Sequence, residues 1–132
     1  MSTSHLTARV TKLNKHKITR KIFRCFCERV HFYATNLSLR GWELEVVIGE
    51  ESTENRATCM TSLDDKYCKI TVDPVWDCEP IDDIINKAAF HEVLELLLAP
   101  IVALGKERFV TERQFSEAGH AVIMRLQNML LD

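Results

Sequence analysis

The sequence predicts one α+β domain, built from a helix, three strands and two further helices. Apolar residues recur at helical spacing near both ends of the chain, and three short stretches between residues 42 and 72 have strand-like composition. A length of 132 residues suits a single hydrophobic core. We expect a flexible basic leader at residues 1–17 and the domain at residues 18–132.

The first predicted helix runs from Ile18 to near Gly41. Its apolar positions fall on one face: Ile18, Ile22, Phe26, Val30, Tyr33 and Leu37. Strands are predicted at residues 42–48, 56–63 and 67–72, with a tight turn at 64–66 and a loop at 76–79. The short connections indicate a mainly antiparallel meander.

The second predicted helix is the most apolar part of the chain. Pro80 suits its first turn, where the helix dipole also favours Asp82 and Asp83. Pro100 is expected to stop it near Ala99. Apolar residues lie on nearly every side of this helix, so it is predicted to be central and buried.

The last predicted helix begins with a capping box, with Thr111 as the N-cap and Gln114 reaching back to it. Its apolar stripe comprises Phe115, Ala118, Val122, Ile123, Leu126, Met129 and Leu130.

Composition limits the class of protein. The 46% of hydrophobic and 27% of charged residues are typical of a soluble globular domain. No membrane segment is expected, because Glu95 and Pro100 interrupt the longest apolar stretch. No secretory signal is seen, and the five cysteines form an odd set (Cys25, Cys27, Cys59, Cys68 and Cys78). Both observations indicate reduced thiols and a cytoplasmic location.

Charge is distributed unevenly along the chain. Residues 1–24 contain seven Lys or Arg residues and no acidic residue. Such an arm can bind nucleic acid by displacing counterions from phosphates. The alternative is a solvated leader that keeps the protein soluble.

A group of polar residues lies within the apolar second helix. His91 and Glu95 are four residues apart and therefore lie on the same face, one turn from each other, where they can share a metal ion. Glu92 is rotated by about 100° and can take a proton from water activated by the metal. Buried ionisable groups are costly unless they are paired or bind a metal, and this favours a metal site over a structural role.

The stretch from Ala88 to Pro100 resembles the H-E-x-x-H helix of zincin metallopeptidases. It looks most like small phage-associated metallopeptidases with a SprT-like minimal zincin core. The resemblance implies a zinc cofactor, a protein or peptide substrate, and amide-bond hydrolysis with Glu92 as the general base. It also implies a substrate cradle at the strand Tyr67–Val72. At the second ligand position this sequence has Glu95 where the family has His.

The resemblance implies a third ligand from the last helix. His120 would complete a set of two His residues and one carboxylate, which is an accepted zinc sphere. Glu117 would give one His and two carboxylates, which suits manganese or iron about as well as zinc. Glu117 lies roughly 170° from the centre of the apolar stripe and His120 roughly 130°, so His120 is preferred.

Two functions from different classes follow. The first is a metallopeptidase with Glu92 as catalytic residue and His91, Glu95 and His120 as ligands. The second is a catalytically degenerate zincin-fold binding module, whose basic arm contacts nucleic acid or a protein partner.

Overall fold

The computed structural model describes residues 15–52, 55–107 and 109–131. It confirms the α+β class, with three helices and two small sheets in the described part of the chain. Helix α1 spans Arg20–Asn36, α2 spans Asp82–Lys106 and α3 spans Glu112–Leu131. Strands β1 to β5 are, in chain order, His16–Lys17, Glu43–Ile48, Ala57–Ser62, Tyr67–Val72 and Val75–Trp76.

Helix α1 is fixed at both ends by local interactions. The Thr19 hydroxyl accepts a hydrogen bond from the Ile22 backbone N–H at 3.2 Å and caps the first turn. At the other end Ser38 has a left-handed backbone (φ 58°), and the Leu39 N–H donates to the Ala34 carbonyl at 2.9 Å. The helix therefore ends before the predicted Gly41, because Ser38 takes the left-handed position that glycine usually supplies.

The predicted antiparallel meander is wrong. The strand order is β2-β4-β3, with β2 parallel and β3 antiparallel to β4. Strand β4 takes the centre because it alternates half-buried residues with Cys68, Ile70 and Val72, which are fully buried. Strand β3 is left at an edge, and the exposed Met60 lies on it.

A second sheet, absent from the prediction, joins β1 to β5 in antiparallel register. It includes His16 and Lys17, the last two residues of the predicted leader; residues 1–14 lie outside the described part. Trp76, predicted as loop, is fully buried and packs edge-on against Phe26 with ring centroids 6.4 Å apart. Burial of this large ring brings the loop residue into the core.

The prediction that α2 stops at Pro100 is wrong. The helix continues for six residues beyond it, to Lys106. Proline lacks a backbone N–H and so removes one helical hydrogen bond. The helix tolerates this loss because Pro100 is exposed to solvent. Within the described residues α2 is also the one helix long and apolar enough to cross a membrane, by length and composition only, with a mean hydropathy of 1.6.

One face of α2, rather than nearly every side, is buried, which corrects the prediction for this helix. The buried residues are Ile85, Ala89, Glu92, Val93, Leu96 and Leu97. All of them except Glu92 share one hydrophobic core with α1 and β4. The Tyr33 hydroxyl of α1 donates to the Asn86 side-chain oxygen at 2.6 Å, and the Tyr33 ring packs on Phe90. These contacts fix the middle of α2, where the polar residues lie.

The predicted capping box of α3 is confirmed. The Gln114 N–H donates to the Thr111 hydroxyl at 3.2 Å, and the Thr111 N–H donates to the Gln114 side chain at 2.8 Å. Only Val122, Leu126 and Met129 of its predicted stripe pack against the core. The stripe residues Phe115, Ile123 and Leu130 are exposed.

Candidate metal centre

His91, Glu92 and Glu95 form a compact group in the middle of α2. One potential ligand atom from each lies within 4.8 Å of the others. The His91 Nε2 and Glu95 Oε1 atoms are 3.9 Å apart, as expected for residues one helical turn apart. The spacing in the sequence therefore predicted this group, which is close enough to hold a metal ion.

The three side chains differ in their exposure to solvent. His91 and Glu95 have side chains 70% and 52% exposed, whereas Glu92 is 4% exposed. The expectation that all three would be buried is wrong for His91 and Glu95, because the helix buries only one face. A cation could therefore reach the imidazole and the Glu95 carboxylate from solvent, with Glu92 beneath them.

Glu92 is held in an unfavourable environment. Its Oε1 atom is buried without a hydrogen-bond partner in the described structure. The pKa of Glu92 is raised to about 8, mainly by burial and also by the hydrogen bond with Glu95 and the charges of Glu95 and Cys68. A buried carboxylate with an unsatisfied oxygen is costly unless it stays protonated or a cation lies near it. The donor set therefore fits a divalent cation.

Cys59 and Cys68 lie close together on the buried face of the sheet, a pair that the cysteine spacing did not predict. Their sulfur atoms are 3.4 Å apart. The contact and burial raise the pKa of the Cys59 thiol, and the charges of Glu92 and Glu95 act in the same direction. The β3–β4 register explains the approach, since Thr61 pairs with Cys68 and Cys59 is two residues away on the same face. All five cysteines are free thiols, as predicted.

Two open cavities border the group on either side. A cavity of about 750 Å³ is lined by Cys59 and Thr61 of β3 and by Glu95 and apolar residues of α2. A second cavity, of about 470 Å³, includes His91, Glu92, Arg56 and Asp77 in its lining. Both border β3, whose outer edge is not bonded to another strand among the described residues.

An ion pair fixes the start of β3 beside the second cavity. The Arg56 Nε atom donates to Asp77 Oδ1 at 2.9 Å, and this hydrogen bond raises the pKa of Arg56. The pair joins β3 to the segment that follows β5. It therefore holds the wall of the cavity in place next to His91.

The predicted third ligands lie on α3, outside the three-residue group. Glu117 is exposed and its carboxylate pairs with Arg113 of the same helix at 3.1 Å. His120 is also exposed. A third ligand from the last helix therefore stays a prediction.

The predicted nucleic-acid arm falls partly on residues 1–14, outside the described part of the chain. The arm's described cations, Lys15, Lys17, Arg20, Lys21 and Arg24, are exposed. Lys15 pairs with Glu51 at 3.1 Å.

Comparisons with protein-family models, with curated proteins and with solved structures found no match to this chain.

Proposed function

We propose that this protein is a zinc-dependent metallopeptidase of the minimal zincin type. The observation that carries the proposal is the arrangement on α2. His91 and Glu95 form a solvent-accessible pair one turn apart, and the Glu92 carboxylate, whose Oε1 atom has no hydrogen-bond partner in the described structure, is buried next to them. A helix whose only task is structural would not keep such a carboxylate in its core.

Each residue has a distinct role in the proposed reaction. His91 and Glu95 hold the cation, with His120 as the preferred third ligand and Glu117 as the alternative. When bound, zinc would supply the Lewis acidity that activates the water and the scissile carbonyl. Glu92 accepts the proton from the attacking water and returns it to the leaving amine.

The pKa of Glu92 suits the role of general base. Its value of about 8 in the protein without metal lies near neutrality, where a base can both accept and release a proton. A nearby divalent cation lowers the pKa of a carboxyl group, because it favours the charged form. Glu92 would therefore be ionised at neutral pH when the cation is bound.

The proposed substrate cradle is β3 rather than the predicted strand Tyr67–Val72. That strand is β4, and its two edges already bond to β2 and β3. Residues of β3 line the cavities on both sides of the site, and the outer edge of this strand is not bonded to another strand among the described residues. An extended peptide could add to this edge through backbone hydrogen bonds, with its scissile bond near Glu92.

The test is hydrolysis of a fluorescein-labelled peptide mixture by the full chain, first stripped with chelator and then supplied with zinc. We expect zinc-dependent turnover, and Glu92→Gln should retain zinc but lose at least about 100-fold in rate. Asp83→Asn is the matched control, because it removes an exposed acid from the same helix. Turnover that is unchanged in Glu92→Gln would refute the proposed mechanism.

Zinc affinity identifies the third ligand. His120→Ala should weaken zinc binding while Glu117→Gln leaves it unchanged; the opposite result would assign Glu117.

If zinc binds without turnover, or does not bind, the alternative binding module is favoured. In that case, replacing the exposed Lys17, Lys21 and Arg24 with Gln, which keeps β1 and α1 in the chain, should weaken binding to a nucleic-acid probe.

A further inference from the structure

A separate cavity lies at the C-terminal half of α2, beyond the metal centre. It has a volume of about 360 Å³ and shares no residue with the His91–Glu92–Glu95 group. Four parts of the chain form its wall: α2, α3, the segment before β2 and the β3–β4 turn. Residues that represent these walls are Leu39, Trp42, Lys66, Leu97, Leu104 and Arg125.

The lining of this cavity is mainly apolar. Leucine side chains from three parts of the chain contribute, together with the Trp42 ring and Pro100. A volume near 360 Å³ is at the small end of the range for small-molecule sites. The cavity therefore suits a small ligand with an apolar body.

The charged groups at the cavity favour an anion. Arg125 of α3 is half-buried, and its Nε atom is buried with no hydrogen-bond partner in the described structure. Lys66 is exposed at the rim, with its Nζ atom 5.7 Å from the centre of the Trp42 ring. Glu107 is the one acid in the lining and is exposed, so the cavity carries two cations against one anion.

An unpartnered guanidinium nitrogen is costly to bury, and a carboxylate is the partner whose geometry fits it best. We propose that this cavity binds a small amphiphilic carboxylic acid. Its carboxylate would pair with Arg125, and its hydrocarbon body would lie on the leucines and Trp42. The site goes beyond the proposed peptidase activity and does not depend on metal.

The test is isothermal titration calorimetry of the full chain, in the presence of chelator, with octanoate and with octan-1-ol. These probes share an apolar body and differ in the carboxylate. We expect octanoate to bind at least about tenfold more tightly than octan-1-ol, because a hydrogen bond to a charged group changes affinity by about tenfold or more. Equal affinity for the two probes, or no octanoate binding, would overturn the proposal.

Two variants assign the interaction to the cavity. Arg125→Gln should remove the preference for octanoate, whereas Arg113→Gln, an exposed arginine of the same helix, should preserve it. Leu104→Phe should weaken binding of both probes by filling the cavity. A preference for octanoate that persists in Arg125→Gln would contradict the assignment. Because metal is absent throughout, failure here leaves the peptidase proposal untouched.

Discussion

The titration of Glu92 gives a prediction about stability that can be worked out from the structure. The side chain is 4% exposed, and its pKa is raised from the ordinary value of 4.5 to about 8. Between these two pH values the folded chain keeps a proton that the unfolded chain has released. The free energy of unfolding should therefore be highest below about pH 4.5 and fall until about pH 8.

The size of this loss follows from the pKa values. Each pKa unit corresponds to about 1.4 kcal/mol, so the fall amounts to about 5 kcal/mol for metal-free protein. Glu92→Gln removes the titrating group while retaining its shape. We expect the variant to lack this pH dependence and to be more stable than the parent chain above about pH 8.

The assay is urea unfolding of both chains in chelator, at intervals from about pH 5 to about pH 9. The difference in unfolding free energy between the two chains cancels the titrating groups that do not interact with Glu92 and leaves the titration of Glu92 with its neighbours Glu95 and Cys68. Asp83→Asn, which removes an exposed acid of the same helix, should show no such difference from the parent. Parallel pH profiles for the parent and Glu92→Gln would refute the reasoning.

Three further predictions concern the fold. Leu96→Ala removes a side chain 1% exposed and should cost about 2–5 kcal/mol in urea unfolding; a loss below 1 kcal/mol, roughly, would show that the site is not closely packed. Thr111→Ala removes the hydroxyl that accepts from the Gln114 N–H and should cost about 1 kcal/mol, with faster amide exchange in the first turn of α3; unchanged exchange would contradict the cap. Gly49→Ala should cost about 1–3 kcal/mol, because its Cβ would lie 2.4 Å from Thr71 Cγ2. Thr71→Ser removes that methyl group, so the double variant should recover the stability lost in Gly49→Ala. If the stability is not recovered, the clash with Thr71 is not the cause of the loss.

Features set by neighbouring residues could be predicted from the sequence. The Thr111 cap, the acidic first turn of α2 and the placement of His91 over Glu95 all depend on residues no more than four positions apart. Strand β4 was predicted at its observed ends, Tyr67 and Val72. In each case the helical or strand period alone fixes the geometry.

Features that depend on distant parts of the chain could not be predicted in the same way. Strand β2 pairs with β4 rather than with its neighbour in sequence, and this follows from β4 being the most buried of the three strands. Pro100 remains within α2 because its ring faces solvent, which the sequence does not reveal. The burial of Glu92 but not of His91 likewise depends on which face of α2 meets the sheet and α1.

The approach of Cys59 to Cys68 does not follow from the cysteine count, because it depends on the register of two strands. A strand register between residues 57–62 and 67–72 would have placed both thiols on one face. The thiol pair lies near Glu92, so sulfur ligands are the distinct alternative to the nitrogen and oxygen ligands of His91 and Glu95.

X-ray absorption at the zinc edge, measured on the full chain loaded with one equivalent of zinc, tests the metal centre most directly. If His91 and Glu95 hold the ion, the spectrum will show only nitrogen and oxygen ligands at about 2.0–2.2 Å, including imidazole scattering that decreases in His91→Ala. A sulfur shell at about 2.3 Å, or a spectrum that is unchanged in His91→Ala, would place the zinc elsewhere and contradict the account.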